Sequence, residues 1–126
     1  MGAWGEGIYA NDLAQDLLLN LEELFEKTSS TEKLLTRLKE TELLNYSDVQ
    51  LVVADLEHSL LGETPFVKDT FRLIKCLKKE APLNWRNPSA RVQALSEFEH
   101  QLKKPAYLSF DSIPDWLASR QSGVIF

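Results

Sequence analysis

A chain of 126 residues, 44% hydrophobic and 26% charged, has the length and balance of one globular domain and excludes wholesale disorder. Its single cysteine, Cys76, excludes an internal disulfide framework and a cysteine-based zinc site. The net charge of −5 argues against nucleic acid as the partner, because proteins that bind it are typically basic.

No apolar run approaches the ~20 residues of a membrane span, and the opening lacks the basic stretch of a signal peptide. Glu6 stands where a myristoylation signal wants Ser or Thr. The expectation is a reduced, cytoplasmic protein with no membrane partner. Charge is unevenly spread. Residues 1–63 hold thirteen acids and four bases, residues 64–126 six acids and ten bases, so the halves carry −9 and +4. An acidic half attracts a basic partner and speeds the encounter.

Capping signals divide the chain into helices. Asn11 is an N-cap for a helix over 12–27. Ser29-Ser30-Thr31-Glu32 reads as a capping box with Ser29 as the cap, opening a second helix to about Leu44. Ser47-Asp48-Val49-Gln50 repeats the device for a third helix, which Gly62 ends. Thr64-Pro65 starts a fourth, running to about Glu80 ahead of Pro82, and Asn87-Pro88 a fifth, running to about Lys103. A short sixth spans 114–120. Only 106–110 and 124–126 are candidates for extended chain. The fold is therefore expected to be all-α, a single compact domain of five to six helices with at most a short extended segment near the C-terminus.

Helical wheels at about 100° per residue place Ala10, Leu13, Ala14, Leu17, Leu21, Leu24 and Phe25 on the inner face of helix 1. Helix 3 contributes Val49, Val52, Val53, Leu56 and Leu60; helix 4 Phe66, Val67, Leu73, Ile74 and Leu77; helix 5 Val92, Leu95, Phe98 and Leu102.

Several chemical motifs are present only on paper. Gly5-x-Gly7-x-x-Ala10 matches the dinucleotide fingerprint, but too few residues precede it for the strand that fingerprint needs. Those glycines are expected to turn the backbone so that Trp4 reaches the core. Asp55-x-x-His58 and Glu97-x-x-His100 have the spacing of a di-metal carboxylate bundle. The wheel turns all four away from the core stripes, leaving two solvated surface histidines. Cys76 has no context that nominates a base and reads as a small residue at the core edge. No catalytic residue, cofactor or metal is expected, and the protein is not read as an enzyme.

Two surface stripes stand out. On helix 1, Asp12, Asp16, Glu23 and Glu26 share the face opposite the core, with Leu19 among them. An aliphatic centre ringed by carboxylates has the layout of a protein-binding patch. On helix 4, Lys68, Arg72, Lys75 and Lys79 form a basic stripe with Lys78 beside it. Few aromatics accompany it for stacking on single strands. Self-association, basic stripe against acidic stripe, is a second use for both.

The opening Met-Gly-Ala-Trp-Gly-Glu-Gly-Ile-Tyr-Ala-Asn-Asp resembles the start of a bacterial family, the domain of unknown function 4259, through Gly2, Trp4, Gly5, Gly7, Tyr9, Asn11 and Asp12. A weaker match runs from Leu51-Val52-Val53-Ala54 to Leu60-Leu61-Gly62. The resemblance implies a small, stand-alone helical protein and brings no activity with it. A small acidic helical protein without catalytic chemistry is also similar in class to immunity proteins, whose acidic surfaces meet the basic clefts of toxins, many of them nucleases. The function expected is such a protein-binding module, its partner a basic toxin domain contacted through Asp12, Asp16, Leu19, Glu23 and Glu26. The alternative is a homo-oligomeric or regulatory helical protein.

Overall fold

The structure, a computed structural model, describes residues 5–121. Trp4 and the extended segment expected at 124–126 lie outside the described residues. Six helices follow one another: α1 (Asp12–Lys27), α2 (Thr31–Leu38), α3 (Ser47–Leu61), α4 (Pro65–Asn84), α5 (Pro88–Leu102) and α6 (Ile113–Gln121). Short 3-10 turns occupy Glu42–Asn45 and Phe110–Ser112. The protein is all-α, with no strand among the described residues. Residues 106–110 form no strand; instead the Leu108 N–H donates to the Ser59 carbonyl at 2.8 Å, tying this segment across α3.

Three of the expected caps form. Asn11 accepts from the Ala14 N–H at 2.8 Å, Thr64 from Val67 at 3.1 Å and Asn87 from Ala90 at 3.2 Å. Gly62 ends α3 at φ +79°, a left-handed conformation that favours glycine.

The other boundaries need correction. Ser30, not Ser29, caps α2 by accepting from Lys33, so the capping box does not close through Glu32. That helix stops at Leu38 because Thr41 turns its hydroxyl onto the Leu43 N–H and starts a separate 3-10 turn. Ser47 lies inside α3, whose N-cap is Tyr46 without a side-chain bond. Pro82 does not stop α4, which runs to Asn84. Proline there removes a single backbone bond near the helix end, and Ala81, buried at that turn, accepts from the Trp85 N–H at 3.0 Å.

The helices pack around α3, which contacts α1, α2 and α4; α5 lies on α4 and α6 on α1. Leu17, Leu21, Val49, Val52, Val53, Leu56, Ile74, Leu95 and Phe98 are buried as expected, while Leu73, Leu77 and Leu60 are half-buried at the core edge. Leu18 and Leu51 join the core from positions the wheels had left out. Every residue of α3 from Leu51 to His58 is buried. A helix surrounded on most sides has no solvated face, and the wheel's assumption of one fails there. Asp55 and His58 are accordingly 2% and 6% exposed, which corrects their reading as surface residues; Glu97 and His100 are exposed. Cys76 is exposed rather than at the core edge.

This burial map sets an expectation for stability. Leu56→Ala, in the middle of α3, should cost about 2–5 kcal/mol. Leu83→Ala, at a side chain 84% exposed, should change stability by less than about 0.5 kcal/mol. Urea unfolding followed by far-ultraviolet circular dichroism separates the two, and equal losses would contradict the packing.

Candidate functional site

Asp12, Asp16, Glu23 and Glu26 are all exposed along α1, and Leu19 among them is 57% exposed. The buried side of the same helix carries Ala14, Leu17, Leu18 and Leu21. At about 100° per residue the five outer residues fall within roughly 40° of one line, directly across from these. None of the four carboxylates meets a cation or a hydrogen-bond donor among the described residues. Their charge is left to solvent.

Beside this face a groove of about 270 Å³ runs between α1 and α6. Phe25, Pro114 and Leu117 supply its apolar lining, and Glu22, Glu26 and Gln121 its polar edge. The Gln121 amide donates to Glu22 at 3.3 Å across the groove, and Gln15 holds α6 from below, reaching the Arg120 carbonyl at 3.2 Å and the Tyr9 carbonyl at 2.9 Å.

The position of α6, and so of the groove, rests on an internal charge. Asp55 of α3 accepts from the Tyr9 hydroxyl and from Arg120 Nε at 3.1 Å. The Arg120 guanidinium also lies 4.7 Å from the Trp116 ring, which meets Tyr9 edge-on at 6.4 Å between centroids. Burial, reinforced by the Asp55 charge, pushes the Tyr9 phenol well above its ordinary range. Burial would lower Arg120, but Asp55 and Tyr9 outweigh it and hold the guanidinium above its ordinary value.

Two further acids of α3 find cations from elsewhere. Asp48 meets Arg91 Nη2 at 2.6 Å and the Asn11 amide at 3.0 Å. Burial outweighs both attractions and raises the Asp48 carboxyl above its ordinary value. Arg91, 1% exposed, also donates to the Glu6 carbonyl at 3.1 Å and lies 4.3 Å from the Trp85 ring. Glu57 accepts from Lys39 and from the Thr64 hydroxyl, with Lys39 4.4 Å from the Phe66 ring. None of these three pairs was anticipated. The signal was present for Arg91, which precedes Leu95, Phe98 and Leu102 by four, seven and eleven residues and so shares their inward face.

The glycine motif also finds its place. A Cβ on Gly5 would lie 3.3 Å from that of Ala10, so glycine allows the chain to fold closely onto itself before α1. Residues Ile8 and Tyr9 are fully buried. The basic stripe is partly neutralised: Lys78 pairs with Glu99 at 2.9 Å and Lys68 with Glu63 at 3.4 Å. Among the described residues, no group of three or more His, Cys, Asp or Glu side chains is placed to hold a metal ion, and no helix is long and apolar enough to cross a membrane. No family profile, curated protein or solved structure matches the chain.

The Asp55 cluster makes two measurable predictions. Arg120→Leu leaves a buried carboxylate short of its cation and should cost about 3–5 kcal/mol, part of which Asp55→Leu in the same chain should restore. The raised Tyr9 gives an alkaline signature. Its contribution to stability is complete below about pH 10, where the phenol is neutral folded or unfolded, and is lost as pH rises because only the unfolded chain ionises. Denaturation from pH 8 to 11 should show that decline in the wild type and a shallower one in Tyr9→Phe. Identical slopes would place the phenol in contact with water.

Proposed function

We propose that this protein is a small protein-binding module, an immunity protein that neutralises a bacterial toxin by covering a basic surface of it with the outer face of α1. The observation that carries the reading is the unneutralised face itself. Four carboxylates with no partner among the described residues surround a leucine that the fold leaves exposed. Three of the chain's other acids show the alternative, because the fold has spent Asp48, Asp55 and Glu57 on internal cations.

The contact divides its work between the two residue types. Leu19 supplies the apolar centre, worth roughly 1.5–3 kcal/mol if fully covered. Asp12, Asp16, Glu23 and Glu26 steer the encounter from the rim. The groove beside them has an apolar lining with acidic edges, which suits an arginine or lysine side chain whose stem packs while its head group pairs. A nuclease toxin supplies such a surface in its phosphate-binding cleft. The likeness of the opening segment to the domain of unknown function 4259 fits a small helical domain.

A second reading, self-association, draws support from the exposed Arg72, Lys75 and Lys79 of α4, which complement the α1 face in charge. The two readings part on the analytical ultracentrifuge, where salt-sensitive oligomers of the isolated protein would favour the second.

The reading is tested first at the neighbouring gene, where a metabolic operon would count against it, and then, if that gene encodes a toxin domain, by binding kinetics against that domain. Asp16→Lys with Glu23→Lys should slow association, and the wild-type association rate should fall as salt rises. Leu19→Ala should chiefly speed dissociation, by about 10-fold or more for 1.5 kcal/mol, without loss of fold stability. An association rate indifferent to salt and to both reversals would move the contact off α1.

A further inference from the structure

A cleft of about 400 Å³ opens where the C-terminal ends of α3 and α5 meet the segment after α5. None of its lining residues belongs to α1, so it is separate from the proposed protein contact. Phe71, Leu102, Pro105 and Ala106 form apolar walls. The wall at 105–106 is fixed by the bond from the Leu108 N–H to the Ser59 carbonyl across α3. His58 lies within, 6% exposed, and its ring has no hydrogen-bond partner among the described residues. Among the described residues, the side-chain atoms shut off from solvent without a partner are Arg91 Nε and Trp116 Nε1. The His58 ring nitrogens are not among them, so their bonding capacity opens to the cleft that the ring lines and is available to what enters it.

Charge decides what that is. Lys103 and Lys104, both exposed, line the same cleft. The acid among the lining residues, Glu63, is exposed and already engaged by Lys68 at 3.4 Å. One side of Lys103 is occupied by the Phe71 ring, 5.8 Å from its ammonium, which keeps the charge beside the apolar wall. Bases around a cleft of this size, with walls that are mostly apolar, suit a ligand that is apolar along its body and anionic at one end.

We propose that this cleft binds a small organic carboxylate, whose apolar body packs against Phe71, Leu102 and Pro105. Its carboxylate accepts a hydrogen bond from the His58 ring and is balanced in charge by Lys103 and Lys104. The ring supplies direction and the two ammoniums supply charge, a division usual where bonds to an ionised group outlast those to a neutral one.

The test uses phenylacetate as probe and neutral phenylacetamide as its control, each titrated into the whole protein and followed by two-dimensional NMR. Phenylacetate should give saturating shifts at the His58 ring and at the amides of Phe71 and Ala106. It should bind about 10-fold or more tighter than the amide, the difference a charge-assisted bond makes. His58→Gln should weaken phenylacetate, and so should the combined Lys103→Gln and Lys104→Gln variant. The lysine variant alters only exposed side chains, so it stays informative if His58→Gln destabilises the fold. Equal affinity for acid and amide, shifts mapping to another surface, undiminished binding by the lysine variant, or equal shifts from inorganic phosphate would each overturn the proposal.

Discussion

A carboxylate in the middle of a buried helix imposes the strongest constraint on this fold. Asp55 lies in α3 where neighbours close around it, and an ionised side chain there is stable only if donors converge on it. They come from opposite ends of the chain: Tyr9 ahead of α1, and Arg120 in the last turns of α6. One charge therefore fastens the N-terminal segment and the final helix to the centre. Asp48 repeats the arrangement seven residues earlier on the same side of α3, drawing in Arg91 of α5 and the Asn11 cap of α1. Such pairs contribute less to net stability than to uniqueness of arrangement, because a slipped helix would leave a buried charge without its counter-ion.

How much of this was legible follows from what each signal reports. Caps and prolines act locally, and so Asn11, Thr64, Asn87 and Gly62 could be read directly from their neighbours in sequence. Where two local signals compete, as Ser29 with Ser30 or the Thr41 turn with a longer α2, the choice depends on geometry that sequence spacing does not carry. Apart from Leu18, the wheels worked for α1, which has water on one side, and they failed for α3, which does not. Asp55 and His58 looked like a polar face because the wheel assumes water on one side and supplies no cation to meet Asp55. The partners Arg91, Arg120 and Lys39 are distant in sequence, and only Arg91 announced itself, by sharing the spacing of an apolar stripe. For the candidate site, the exposure of Leu19 was legible because it lies directly across from a strong core stripe. The groove beside it was not, since it exists only once α6 is docked.

Counting the internal pairs also changes what the charge asymmetry means. The −9 of the first half overstates its surface, because Asp48, Asp55 and Glu57 face inward and two of their cations come from the second half. The acids that remain outside are concentrated on the helices and turns of residues 12–45, and on α1 they stand in line around an apolar side chain. Charges serving solubility alone need no such alignment and are as effective scattered. The alignment, rather than the total, is the feature that favours a contact, and it is also the feature that reversal of two charges most directly disturbs.

The opening motif acquires a physical meaning from the same network. Gly5 permits close approach to Ala10, Tyr9 donates to Asp55, and Asn11 both caps α1 and reaches Asp48. Each of these roles is internal. A motif built from such residues specifies how a chain enters its first helix and locks onto a central acidic one, and Asp12 is its one side chain on the exposed face of α1. Asp12, its last member, is where that face begins. What the motif fixes is therefore the entry into α1, and Asp16, Leu19, Glu23 and Glu26, the rest of the proposed contact, lie outside it. Two chains could share the whole motif and the Asp55 lock while presenting different surfaces to different partners, because the residues that fix α1 in place and those that would touch a partner occupy opposite sides of one helix.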